Sequence, residues 1–521
     1  MVSNDSIPMK KFAAVRRVPL AVWVFALALG VLEYFTLDGL DTIDFTYFYL
    51  QKCPDGFDFM GWLRYVNTER RVDNMRLFNM FAAMRYLYVP QLVYAVFFGF
   101  CCGLTLWLFG RYSAMRRGEG SMLFFVIWLL VAGLPWSDHL LIPMYTFNYT
   151  VPSTICLLGI WLTWRGTGRR RWAGAMLIVV ASLAHEGLGV PLVCGAAFLW
   201  MVTGRWRRYR VFYAVMAVGT LLSVVMLCSS ALTRRLGYAM PHAASLEMTP
   251  YWLFYNFLTF GLLFFLTVAL CRRSGRAYLR RFVAEHPLGV FFFGCALGGL
   301  AIGAVVAFSP RTYFWSQMCS ALVLTMLAVP VLRRHMKATR IAGLVLGVLF
   351  AAYAAWSVPQ CRKFTDAYTA AIEELGRSES GTVFCRTVHP MDFPKYISRF
   401  PIRDIFFLPY SYEALPLHYG KPVAFVPEEL ADMPTDVEPD SLYRSPSGYY
   451  VFRPTDRRLA DTTAVYAEAW YARGVTLEGD TMQVAYFLLP YIAPDGTRMV
   501  MISPTDVHPS LLRSIDLMPG T

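Results

Sequence analysis

Apolar residues in this chain gather in long continuous runs, broken by short polar segments rich in arginine. A helix that crosses a bilayer needs about 20 mostly apolar residues. On that rule about eleven segments predict membrane-spanning helices, at 18–37, 88–110, 121–136, 150–164, 172–185, 187–203, 211–229, 251–271, 287–308, 313–332 and 341–357. Lys10, Lys11, Arg16 and Arg17 precede the first run. That run is long and no A-x-A site follows it, which predicts an anchor rather than a cleaved signal. The runs at 150–164 and 172–185 are short, so tilted, broken or re-entrant forms stay open for them.

The basic residues set an orientation, because Lys and Arg collect on the cytoplasmic side of short loops. With the N-terminus inside, the inner segments carry Arg111, Arg116 and Arg117, then Arg165 and Arg169 to Arg171, then Arg205, Arg207, Arg208 and Arg210. Arg272, Arg273, Arg276, Arg280 and Arg281 follow, and then Arg333, Arg334, Lys337 and Arg340. The alternation holds loop by loop and predicts an odd number of spans. Residues 1–357 are therefore expected to form the membrane domain, with a long first outer loop at 38–87, and residues 358–521 an exported, periplasmic domain.

Within that tail, a helix is expected near 361–377. Short apolar runs at 404–409, 422–427, 449–454, 483–490 and 498–504 predict strands, the last two forming a hairpin around Pro494-Asp495-Gly496. The tail holds 15 Lys and Arg against 21 Asp and Glu, which argues against a basic lipid-surface domain. Cys361 and Cys385 lie in it, and pairing and two separate thiols are both open.

Composition agrees with the pattern. The 521 residues are 56% hydrophobic and 16% charged, against the ~45–50% and ~25% of soluble domains. The net charge of +13 is explained by the inner loops, and nucleic acid is not expected as a partner. The fold class is an all-α polytopic membrane protein with an exported α/β or β-rich domain.

Acids in or beside a membrane segment are costly unless paired or wetted, so they mark candidate chemistry. Among the acids of the membrane part, only Asp5, Glu119 and Glu285 fall on the inner side. The first span ends in Asp38, Asp41 and Asp44, spaced to share one face if helical. Crowded carboxylates beside an apolar boundary bind protons or a cation more readily, which suits a general base or a metal ligand. In the first outer loop, Met75, Phe78, Ala82 and Tyr86 predict an amphipathic helix on the outer surface. Arg76 there either offers a planar fork to a phosphate or snorkels to headgroups. Asn148-Tyr149, His185-Glu186 and Pro310-Arg311 stand at three further outer ends.

This string of features resembles the GT-C class of membrane glycosyltransferases, in particular the bacterial branch related to the O-antigen glucosyltransferases and their multi-spanning relatives. Asp41 and Asp44 stand where that class carries its acidic motif, with Asp44-Phe45 matching an Asp-aromatic step. Asn74-Met75-Arg76 matches an Asn-Gly-Arg-like segment, with Met75 in place of the glycine. Asn148-Tyr149-Thr150-Val151-Pro152 matches an Asn-Tyr-x-x-Pro step, and Glu186 and Arg311 fall at the later outer ends. The likeness runs over roughly 18–330; the acids depart from it in being spaced Asp-x-x-Asp.

The resemblance implies an inverting glycosyltransferase of the bacterial inner membrane. It would move a sugar from a polyprenyl-phosphate donor to a glycan or lipid acceptor of the cell envelope. Asp44, tuned by Asp41, would be the base, with Asn74, Arg76, Asn148, Tyr149, His185, Glu186 and Arg311 binding substrate. No cofactor is required by this reading; a divalent cation at Asp41 and Asp44 and an arginine are alternative charge stabilisers. A transporter or flippase and a non-catalytic envelope assembly protein are the competing readings. Convergence of the outer-end residues separates the enzyme from the scaffold.

Overall fold

The computed structural model describes residues 18–36, 58, 60–61, 78–136, 140–141, 143–227, 253, 256–306, 310–386, 415–416, 418–455, 465–466, 470–484, 486–504 and 512–519. The long apolar runs fold as helices, since a helix satisfies its own backbone polar groups wherever water is excluded. In chain order these are α1 (Leu20–Tyr34), α2 (Asn79–Tyr88), α3 (Gln91–Tyr112), α4 (Leu123–Gly133), α5 (Val151–Arg165), α6 (Arg169–Ser182) and α7 (Glu186–Thr203). They continue with α8 (Trp206–Leu227), α9 (Phe257–Cys271), α10 (Arg273–Glu285), α11 (Pro287–Val306), α12 (Phe314–Arg334) and α13 (Met336–Arg377). Each of the eleven apolar runs carries one of these helices. Four stretches among the described residues, 91–112, 206–225, 314–334 and 336–377, are long and apolar enough to cross a membrane. A fifth results if α9 and α10, bent by 118° at their junction, count as one span.

Helix α1 packs along α3, α5 along α6, and α7 against both α8 and α11. Small residues allow the closest approaches. A Cβ on Gly294 of α11 would lie 2.9 Å from the Cys194 carbonyl oxygen and from the Gly195 Cα of α7. Polar ties are few and specific. Gln317 of α12 donates to Asn256 Oδ1 (3.1 Å) and Thr259 Oγ1 (2.9 Å), and its carbonyl accepts from the Leu258 N–H. At the basic end of the bundle, Arg333 holds Glu119 in a two-pronged pair at 2.6 and 2.8 Å. The Arg116 N–H adds a third hydrogen bond to the same carboxylate. Burial alone would raise the Glu119 pKa, but Arg333 and Arg116 outweigh it and hold the carboxyl below its ordinary value.

Two expectations take a different form in the structure. The helix expected near 361–377 is the last part of α13, which runs without a break for 42 residues. Its Tyr368, Ala371 and Leu375 enter a core shared with Val383, Phe425, Val426 and Met501. Burying that second apolar stretch gives the helix reason to continue past Ser357. The first-loop helix, α2, starts at Asn79, and its apolar face is not laid on an outer surface. Phe78 and Ala82 pack into the helical core, while Tyr86 packs on the C-terminal core.

The C-terminal region is built on strands. β1 (Thr382–Cys385) pairs in parallel with β2 (Ala424–Pro427). The other strands are β3 (Tyr443–Arg444), β4 (Tyr450–Phe452), β5 (Val465–Tyr466), β6 (Trp470–Thr476), β7 (Thr481–Val484), β8 (Tyr486–Ile492), β9 (Arg498–Pro504) and β10 (Leu512–Pro519). They form sheets in the orders β3-β4-β9-β8-β5 and β10-β6-β7. The expected hairpin is present as β8 and β9, closed by Ile492 opposite Arg498. Gly496 supplies the positive φ of +86° that this turn needs. The run at 404–409 lies outside the described residues. Cys361 and Cys385, both buried, are not joined by a disulfide.

Candidate functional site

The end of α1 is unusually well secured. The Gln91 side-chain amide donates to the carbonyls of Glu33 (2.8 Å) and Thr36 (3.1 Å), and Thr365 donates to that of Phe35 (2.6 Å). These bonds satisfy carbonyls that a helix C-terminus leaves open. They also fix Glu33, whose side chain is only 1% exposed. Its carboxylate interacts with Arg85 of α2 by charge and with the Tyr94 hydroxyl of α3, while Oε2 makes no hydrogen bond within the protein. The Arg85 guanidinium lies 4.8 Å from the Tyr94 ring centre. Burial pushes the Arg85 pKa down, and Tyr94 and Glu33 partly restore it.

Glu33 carries a signal visible in the chain, an acid inside an apolar run, but its partner Arg85 lies 52 residues on, in α2, and only the fold brings the two together.

A second cluster is joined to the first by one turn of backbone. Before α5, residues Thr146–Thr150 form a π-helical turn, a geometry that recurs at functional sites. Phe147 of this turn packs against Phe81 and Tyr94, at 5.9 Å from each ring. Tyr149 faces the opposite way, with its ring centroid 4.5 Å from that of His185 and 6.0 Å from that of Phe314. His185 caps α7, its Nδ1 accepting from the Gly187 N–H at 2.9 Å. In a neutral ring this bond places the proton on Nε2.

The Pro310–Tyr313 turn, which bears Arg311, leads into α12 at the same place. Asn148, Tyr149, Ser153, His185, Thr312 and Trp315 line a space of about 10 Å³ there. That is room for roughly one water. Several buried polar atoms around it, Asn148 Oδ1, Tyr149 Oη, Ser153 Oγ and Trp315 Nε1, make no hydrogen bond within the protein. A buried polar group without a partner costs about 1–3 kcal/mol, so these atoms call for a polar occupant, and the space has room for one water.

Of the residues expected to form the site, Asn148, Tyr149 and His185 are therefore brought together. Glu186 opens α7 beside them and Arg311 lies in the adjoining turn; their backbones are described and their side chains are not. Asp41, Asp44, Asn74 and Arg76 lie outside the described residues. Among the described residues no group of three or more His, Cys, Asp or Glu side chains gathers. No family model, curated protein or solved structure matches the chain.

Proposed function

We propose that the chain is an eleven-span protein of the bacterial inner membrane, with its N-terminus cytoplasmic and residues 358–521 periplasmic. We propose further that it is a GT-C-type glycosyltransferase, moving a sugar from a polyprenyl-phosphate donor to an envelope glycan or lipid. The observation that carries this reading is the cluster of Asn148, Tyr149 and His185 around buried, unbonded polar atoms. These atoms lack hydrogen-bond partners within the protein, and the hydroxyls of a sugar and the oxygens of a phosphate would supply them.

In this reading a carboxylate, Asp44, takes the proton of the acceptor hydroxyl as its oxygen attacks the anomeric carbon. The bond from that carbon to the donor phosphate breaks with inversion, and the phosphate leaves on its lipid. Arg311 or Arg76 stabilises the charge gathering on it. The cluster is closed in the present conformation, so sugar binding requires the ends of α5, α7 and α12 to part.

The test is transfer from a polyprenyl-phosphate sugar in membranes containing the chain, alongside the surface glycans of a deletion strain and its parent. Asp44→Asn, nearly isosteric, is expected to lower transfer by ~10²-fold or more while the protein still inserts. Full activity in Asp38→Asn, Asp41→Asn and Asp44→Asn alike would remove the enzyme reading. Substrate crossing the bilayer without chemical change would favour a transporter.

A further inference from the structure

A groove runs along the seam between α1 and α3, from Phe35 at the end of α1 to Val18 before its start. It has a volume of about 660 Å³ and is lined along its length by Trp23, Leu27, Val31, Leu92, Val96 and Phe100. Most of these side chains are exposed, Leu27 by 70% and Val96 by 65%, so the groove opens outward from the bundle. Beyond Val18 and Trp107, which line both spaces, it continues into a second hollow of about 290 Å³ at the basic end.

That hollow is chemically different. Arg111, Arg116, Arg117 and Ser121 line it. Arg111 is stacked against Trp107 (5.1 Å) and Trp161 (5.7 Å), which orients its guanidinium. Its buried Nε and the Ser121 Oγ make no hydrogen bond within the protein. Arg116 and Arg117 are exposed. The nearby acid, Glu119, is held in a two-pronged pair by Arg333 and accepts from the Arg116 N–H, and its charge also acts on Arg116. A long apolar trough thus ends in three guanidinium groups with donors to spare.

We propose that this groove binds one anionic phospholipid of the cytoplasmic leaflet. Its phosphate sits among Arg111, Arg116 and Arg117, and an acyl chain lies along the α1–α3 seam. Three things select this occupant over other lipids. The trough is apolar enough for a hydrocarbon chain, the donors match phosphate oxygens, and in the proposed orientation, with the N-terminus inside, the arginine end faces the leaflet that carries anionic lipid. The proposal rests on the chain lying in a bilayer in that orientation but is independent of sugar transfer.

Flotation of the full chain with phosphatidylglycerol vesicles tests the bilayer requirement first; failure to float would overturn both the membrane reading and this one. The delipidated full-length protein in neutral detergent is then titrated with phosphatidylglycerol or phosphatidylethanolamine, with bound lipid counted by native mass spectrometry. The wild-type protein is expected to prefer phosphatidylglycerol. Arg116→Gln with Arg117→Gln, both exposed, should weaken it by about five-fold per arginine. Val96→Trp, which fills the trough from an exposed position, should weaken both lipids, while Arg272→Gln with Arg273→Gln should leave the preference intact. Equal binding of the two lipids, or loss of preference in the Arg272/Arg273 variant as large as in the Arg116/Arg117 variant, would overturn the site. Stronger retention of a polyprenyl phosphate than of phosphatidylglycerol would overturn the assigned occupant.

Discussion

The ring of Tyr149 packs on the imidazole of His185, with centroids 4.5 Å apart and planes inclined by 48°. The contact joins the π-helical turn before α5 to the first residue ahead of α7, and it leaves the Tyr149 hydroxyl without a hydrogen bond in the protein. Tyr149→Phe keeps the ring contact and removes only that hydroxyl. Thermal unfolding in detergent should show no loss of stability, and a gain of up to about 1 kcal/mol as the buried hydroxyl disappears. Sugar transfer should fall by about ten-fold or more if the hydroxyl serves the substrate. A stability loss with normal transfer would make Tyr149 a structural residue.

Glu33 and Arg85 are both buried and interact electrostatically across α1 and α2. Removing one partner of such a pair leaves the other uncompensated, at a cost of about 3–5 kcal/mol. Arg85→Met should therefore destabilise strongly, Glu33→Gln less, and the double variant should recover most of the loss. A double-mutant cycle on unfolding midpoints reads the coupling; additive losses would show that the two charges do not act on each other.

The α1–α3 seam is intolerant of added volume. A Cβ on Gly99 would fall well inside van der Waals contact of the Ala26 carbonyl oxygen, and one on Gly30 would meet the Ala95 oxygen at 3.0 Å. Gly99→Ala is expected to cost about 1–3 kcal/mol through overpacking. Gly261→Ala in α9, where a Cβ meets nothing within 4 Å, should gain about 0.5–1 kcal/mol. Reversal of that order in thermal unfolding would refute the packing account.

Acid should weaken the protein in two steps. Burial, reinforced by Arg333 and Arg165 and opposed by Glu285, holds the His286 pKa below its ordinary 6.5. Its stabilisation is complete above pH 6.5 and is lost as pH falls from there through the lower folded value. Glu119, held below 4.5, keeps its contribution above pH 4.5 and loses it as pH falls through its own folded value. Unfolding midpoints against pH should lose the upper step in His286→Asn and the lower step in Glu119→Gln.

Orientation has a direct measurement. Reporter fusions after Gly381, at the start of the strand-bearing region, should be active only outside the cytoplasm. Fusions after Arg117 or Arg170 should be active only inside. A cytoplasmic readout at Gly381 would overturn the outer-face site along with the topology.

Much of the architecture was legible in the chain itself. The position of every helix in an apolar run follows from hydropathy over some twenty neighbours, and the β8–β9 hairpin from Asp495-Gly496 between two apolar strands. Both are local signals: backbone hydrogen bonds close within a few residues, and a turn needs only its own φ angles. Bringing Asn148, Tyr149 and His185 to one place was half legible, because helix ends on one side of a bundle share a surface without having to touch.

What tertiary structure alone decided was which distant groups meet. Glu33 finds Arg85, Glu119 finds Arg333 at a separation of 214 residues, and Thr365 reaches back 330 residues to Phe35. Helix α13 continues past Ser357 because a second core receives its far end. The face of α2 turns inward because protein, rather than lipid, covers it. An apolar pattern states that a face will be buried. Which neighbour buries it depends on how the helices pack, and that is fixed by close approaches such as Gly99 to Ala26 and Gly294 to Gly195.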